Sequence, residues 1–208
     1  ARRCAVGDRG GGPLARRGVE AGRGPTRLAV TASDNETRNI ATGNIREYPM
    51  TKTPRLPAID PQAVELREGS RYPGALAEPC AKRLKRAMGD AAGLTHFGVN
   101  LVWLPPGAWS SQRHWHANED EFIYVLEGKL TLITEDGEQT LGPGAAAGFP
   151  AGLADGHHLV NKTGRNAVYL EVGDRAAEEH VTYPDVDMRM DRTKAGRVVA
   201  HKNGKPYR

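Results

Sequence analysis

Between residues 95 and 172, short runs of β-forming residues alternate with turn residues at near-regular intervals, and this rhythm constrains the fold most. Residues 95–104 read as a strand stopped by Pro105-Pro106-Gly107, since proline has no ladder donor. Further strands are expected over 110–116 and 121–126. Residues 129–134 and 138–141 pair across Glu135-Asp136-Gly137, an Asp-Gly hairpin signal. Gly142-Pro143-Gly144 turns the chain again before strands at 145–149, 157–161 and 167–172. Short, evenly spaced strands of this kind build a sandwich or a barrel, so the fold class is all-β.

The flanks are of different character. Pro54, Pro57, Pro61, Pro73 and Pro79 make the stretch from Met50 onward an extended arm, taken as residues 50–94. Within it, residues 80–92 suit either a short basic helix or a strand followed by a Gly89-Asp90 turn. Residues 173–208 are polar and read as a strap across the barrel or a dimer arm, with a turn at Tyr183-Pro184-Asp185-Val186-Asp187 and a strand candidate at 197–201. Residues 1–49 are Gly/Arg-rich without an apolar period. They read as a disordered tail, or as an extension to a chain that starts at Met50.

The net charge of +4 belongs to that tail. Residues 1–30 hold seven Arg against Asp8 and Glu20, a balance of +5, which leaves −1 for the rest. No nucleic-acid surface is therefore expected. No apolar run reaches the length of a membrane span or a signal-peptide core, and Cys4 and Cys80 are isolated thiols suited to a reducing compartment. A cytoplasmic protein without membrane contact is the expectation.

His114-Trp115-His116 carries the chemistry. Residues two apart on a strand share a face, so both imidazoles project together while Trp115 points away. A polar turn over residues 117–120 brings Glu121 back to them, and His157 supplies a third imidazole. Three imidazoles and one carboxylate, without thiolate, suit a divalent Fe, Mn, Ni or Zn ion. Ile123 and Val125 share the parity of Glu121 and should make the lining apolar. Ser110, Gln112 and Phe149 are the nearest candidates for contact with a substrate.

The set Gly107, His114, His116, Glu121 and Gly128 resembles the first motif of the cupin superfamily, and Gly144, Pro150, Gly152, His157 and Asn161 resembles the second. The resemblance implies a double-stranded β-helix, a jelly-roll relative, over residues 95–172. Six residues separate Gly107 from His114 where the motif has five, and four separate Gly152 from His157 where it has two. The interval of three residues to Asn161 points to His157 rather than His158 as the ligand. Within the superfamily this ligand set implies a metalloenzyme on a small polar organic substrate, either a sugar-phosphate isomerase or a dioxygenase. The first needs a base or a phosphate-binding cation, and neither is identifiable in the sequence. A non-catalytic small-molecule sensor is the alternative, and an exposed-edge β-sandwich with long arms is expected to pair as a homodimer.

Overall fold

A computed structural model describes residues 57–207. The tail over residues 1–49, and the start of the arm, lie outside the described residues. A six-stranded antiparallel sheet runs in the order β1 (Leu66–Glu68), β2 (Leu84–Ala87), β3 (Phe97–Leu104), β10 (Ala167–Asp174), β5 (Glu121–Glu127), β8 (Ala146–Phe149). A three-stranded sheet joins β7 (Gly137–Leu141), β6 (Leu130–Thr134) and β9 (His158–Val160). A four-stranded sheet runs β13 (Gly196–Ala200), β12 (Met188–Thr193), β11 (Glu179–Tyr183), β4 (Trp115–His116).

Strand alternation explains where the core sits. Val102, Leu104, Ile123, Val125, Ala167 and Tyr169 point inward from the six-stranded sheet and pack with Leu130, Leu132, Leu141 and Leu159 of the three-stranded one. Val181, Tyr183, Met188 and Met190 form a second cluster under the four-stranded sheet, closed by Tyr72 and Leu76. The hairpin turn is the two-residue Glu135-Asp136, with Thr134 opposite Gly137. Gly128 has φ +74°, and a Cβ there would lie 2.5 Å from the Asn166 carbonyl oxygen, so glycine is required where β5 gives way to β6.

Three expectations are revised. The strand expected over 110–116 is reduced to Trp115–His116, because the preceding residues spend their backbone groups on isolated bridges, Trp109 to Val160 and His114 to His157. The ambiguous segment 80–92 resolves as the strand β2 followed by a single helical turn, Met88–Ala91. The C-terminal stretch carries three strands where one was expected. Their alternating apolar residues were masked by interleaved charges, as in the Met188-Arg189-Met190-Asp191 run. Among the described residues no helix is long and apolar enough to cross a membrane.

Candidate metal centre

His114 and His157 face each other across a backbone bridge. The His114 N–H donates to the His157 carbonyl at 3.1 Å, and the His157 N–H returns a bond of 2.8 Å. That pairing holds the two ring centroids 5.1 Å apart. His116 lies on β4, where pairing with Val181 of β11 fixes it, and its Nε2 is 3.1 Å from Nε2 of His114. Glu121 opens β5. Its Oε2 lies 3.4 Å from His157 Nε2, 3.5 Å from His116 Nε2 and 3.8 Å from His114 Nε2. Donors at right angles around one ion, with bonds of ~2.1 Å, stand ~3 Å apart. The donor atoms of His114, His116 and Glu121 all lie within 4.8 Å of one another and could hold one ion, and His157 adjoins this group through Glu121.

Hydrogen bonds behind the rings aim them. The His114 Nδ1–H donates to the Gln112 carbonyl at 2.9 Å, and Nδ1 of His157 lies 3.3 Å from the Asp155 carbonyl. A carbonyl only accepts, so Nδ1 of His114 carries the proton and its Nε2 lone pair faces the cluster, whereas His157 stands between two acceptors, the Asp155 carbonyl and Glu121. The Phe149 ring, paired with Glu121 across β5 and β8, stacks on His157 at 3.6 Å. His158 turns away, its Nδ1 3.0 Å from the Ser111 carbonyl and its ring edge-on to Trp109. Of the remaining histidines, His180 and His201 pair with Asp191 and Asp187, outside the cluster.

The environments of the three cluster groups diverge. Burial, against the pull of Glu121, lowers the His114 pKa to about 3. Burial also opposes charge on His116, but its hydrogen bond to Glu121 and the fields of Glu121, Glu179 and Glu119 prevail and raise its pKa. Glu121 is buried too, yet bonds from His116 and His157 and the field of His114 hold its carboxyl well below the usual range. Nδ1 of His116 is buried without a hydrogen-bond partner, 3.8 Å from both Glu119 Oε2 and Glu179 Oε1. Glu179 is fixed in turn by the N–H groups of Ala117 and His180, each at 2.9 Å.

The cluster opens onto a cavity of about 210 Å³. Ser110, Phe149 and Ile123 line it, while Val125 lies in the core. Gln112 is a correction: its Nε2 donates to the Leu76 carbonyl at 2.7 Å, and it does not line the cavity. Gln112 lies in the bend before β4 and not on a strand, so parity does not set its direction, and its amide bonds the 3-10 segment Gly74–Cys80. Sequence reasoning missed Tyr72, Arg83, Tyr169 and Glu171, which line the cavity, and Tyr183, whose ring stacks on His114. Tyr169 and Glu171 share one parity on β10, which was a usable signal. Tyr72 and Arg83 had none, because they come from the proline-rich arm.

The family model described as "Cupin domain" matches residues 100–173. A crystal structure from Silicibacter pomeroyi, described as a sugar phosphate isomerase from a cupin superfamily, is 44% identical with a TM-score of 0.70; the match covers 73% of this chain and 97% of that one. A proposed sugar phosphate isomerase from Acidithiobacillus ferrooxidans is 32% identical with a TM-score of 0.58, covering 64% of this chain and 85% of that one. No curated protein shows significant similarity to the chain. With this fold and these motifs, the chain belongs to the cupin superfamily.

Proposed function

We propose that this protein is a divalent-metal isomerase acting on a small phosphorylated sugar, with His114, His116, Glu121 and His157 as metal ligands. The observation that carries the reading is that Glu121 Oε2 stands 3.4–3.8 Å from Nε2 of His114, His116 and His157, with the first two imidazoles 3.1 Å apart, on the wall of one cavity. The 44% identity to a protein described as a sugar phosphate isomerase supports the substrate class. A bound ion supplies Lewis-acid polarisation of the substrate carbonyl and hydroxyl oxygens. Glu171 lines the same cavity outside the ligand set, its Oε1 accepting from Asn100 Nδ2 at 2.7 Å. That bond leaves Oε2 to take the proton from the hydroxyl-bearing carbon beside the carbonyl and return it to the former carbonyl carbon, while the hydroxyl proton passes to the former carbonyl oxygen. An isomerase needs such a shuttle, whereas a dioxygenase does not, and this favours isomerisation.

The test is metal analysis of the purified chain, followed by proton NMR of pooled sugar phosphates in D₂O. Interconversion of aldose and ketose with deuterium entering at the exchanged carbon, lost on chelation and restored by Mn or Zn, is the supporting result. Metal binding without turnover of any substrate would leave a ligand-binding protein instead.

We further propose a homodimer built on the outer face of the six-stranded sheet. Phe122, Tyr124 and Leu126 of β5 are exposed there, and pairing carries the apolar surface through Val172 and Leu170 to Val99 and Leu101. Sedimentation of the wild-type chain is expected to give the mass of two chains, and Phe122→Lys with Leu126→Lys the mass of one. A wild-type monomer at tens of micromolar would overturn this.

A further inference from the structure

Besides Nδ1 of His116, two buried polar atoms of cavity-lining residues have no hydrogen-bond partner among the described residues. Tyr169 is fully buried on β10, and its hydroxyl makes no hydrogen bond; nearby Ser110 accepts from the Leu159 N–H at 2.9 Å and lies 3.4 Å from the Ser111 hydroxyl. A phenylalanine would fill the same space without stranding a hydroxyl. The Arg83 guanidinium is clamped by two carbonyls, those of Gly69 at 3.1 Å and of Ser110, which leaves its buried Nε–H unpaired. Arg83 joins no ion pair among the described residues. Its positive field reaches the hydroxyls of both Tyr169 and Tyr72. The cavity carboxylate Glu171 is answered elsewhere, by the Asn100 amide and by the field it shares with Lys85.

We propose that Arg83 and Tyr169 form an oxyanion site in this cavity, taking the phosphate of the substrate. Nε–H can only donate, and the hydroxyl is free to donate, so the complementary group is an acceptor carrying negative charge. A water molecule would satisfy either atom but leave the arginine charge unanswered in a buried place. The inference rests on the reading of the cavity as the substrate chamber and adds the handle by which it holds the substrate. A carboxylate shares this chemistry, and the test separates the two.

The experiment titrates inorganic phosphate, and acetate in parallel, into the purified full chain by calorimetry. Because a bound ion also attracts phosphate, the titration is repeated after chelation. One phosphate per chain is expected in both states, with acetate much weaker. Tyr169→Phe should weaken phosphate binding about tenfold while metal content is unchanged. The same variant should melt about 3 °C above wild type, since a stranded hydroxyl is gone. A residue that served structure alone would not raise stability while lowering anion affinity. Arg83→Gln should abolish binding; if it fails to fold, the Tyr169→Phe pair of readouts still decides. Equal phosphate affinity in Tyr169→Phe and wild type, or no binding by the chelated wild type, overturns the site. Preference for acetate overturns the phosphate assignment. Isomerisation with phosphate affinity indifferent to both residues would sink this inference and leave the activity standing; phosphate binding that depends on both residues without turnover would do the reverse.

Discussion

His157→Ala is expected to cost more than about a thousandfold in metal affinity, while His158→Ala keeps one ion per chain. The two side chains are neighbours in sequence and opposite in direction. Nε2 of His157 is within 3.4 Å of Glu121 Oε2, whereas His158 is spent on the Ser111 carbonyl and Trp109. Losing a group that merely supports a ligand typically costs 10–100-fold in metal affinity, so losing one of four donors should cost well beyond that. His158→Ala strands a buried carbonyl and removes an aromatic contact, at a price of about 1–2 kcal/mol in stability. Metal content after gel filtration, read beside a thermal melt, separates the two outcomes. Loss of the ion in His158→Ala with retention in His157→Ala would reverse the register of the loop before β9, and with it the ligand set.

That loop shows what could be read from the chain and what could not. The four residues between Gly152 and His157 look like an insertion long enough to slide the strand. In the folded protein Asp155 Oδ1 accepts from the Glu135 N–H at 2.9 Å, and Arg113 reaches Glu135, Asp185 and the Gly156 carbonyl. The insertion is therefore pinned to the β6–β7 hairpin and to the turn before β12, and the register of His157 survives. Local signals sufficed to bring the proposed ligands into one place, because residue parity, turn glycines and the hairpin are short-range properties. The strands β3 and β5 to β10 were legible for the same reason. Glu119, Glu179, Arg83 and Tyr183 were not, since what places them is long-range pairing. β11 brings Glu179 behind His116 only because Val181 pairs with it, and Arg83 enters the cavity only because β2 joins β3. Arg83, the proposed anion handle, was thus present in the sequence but in a segment whose destination the sheet decides, while Glu171, the proposed base, lay on a legible strand.

Acid should strip the ion, and the three histidines should not contribute equally. Metal binds neutral imidazole and carboxylate, so every proton taken up by a ligand competes with it. From sequence alone, three free imidazoles titrating near ~6.5 would compete together and give a slope approaching three protons per ion. Burial alters this. His114, lowered to about 3, stays neutral through the whole physiological range and contributes no competing proton there. Glu121 is held well below its usual range and remains a carboxylate. His116 moves the other way: raised by Glu121, Glu179 and Glu119 against its burial, it keeps a proton to higher pH than free imidazole and competes first. Affinity should be full above that raised pKa and fall about tenfold per pH unit just below it, roughly a hundredfold over two units. Above pH 4 the slope should never exceed two, because one of the three imidazoles has left the competition. Chelator-buffered metal occupancy against pH measures this directly. A slope of three would mean that His114 is open to solvent, and a flat line would mean that imidazoles do not hold the ion. Replacing Glu179 by glutamine removes part of the field that keeps His116 charged, so the onset of loss should move to lower pH in that variant. Movement in the opposite direction would mean that the carboxylate 3.8 Å from Nδ1 acts on the bound ion's ligand through something other than its charge.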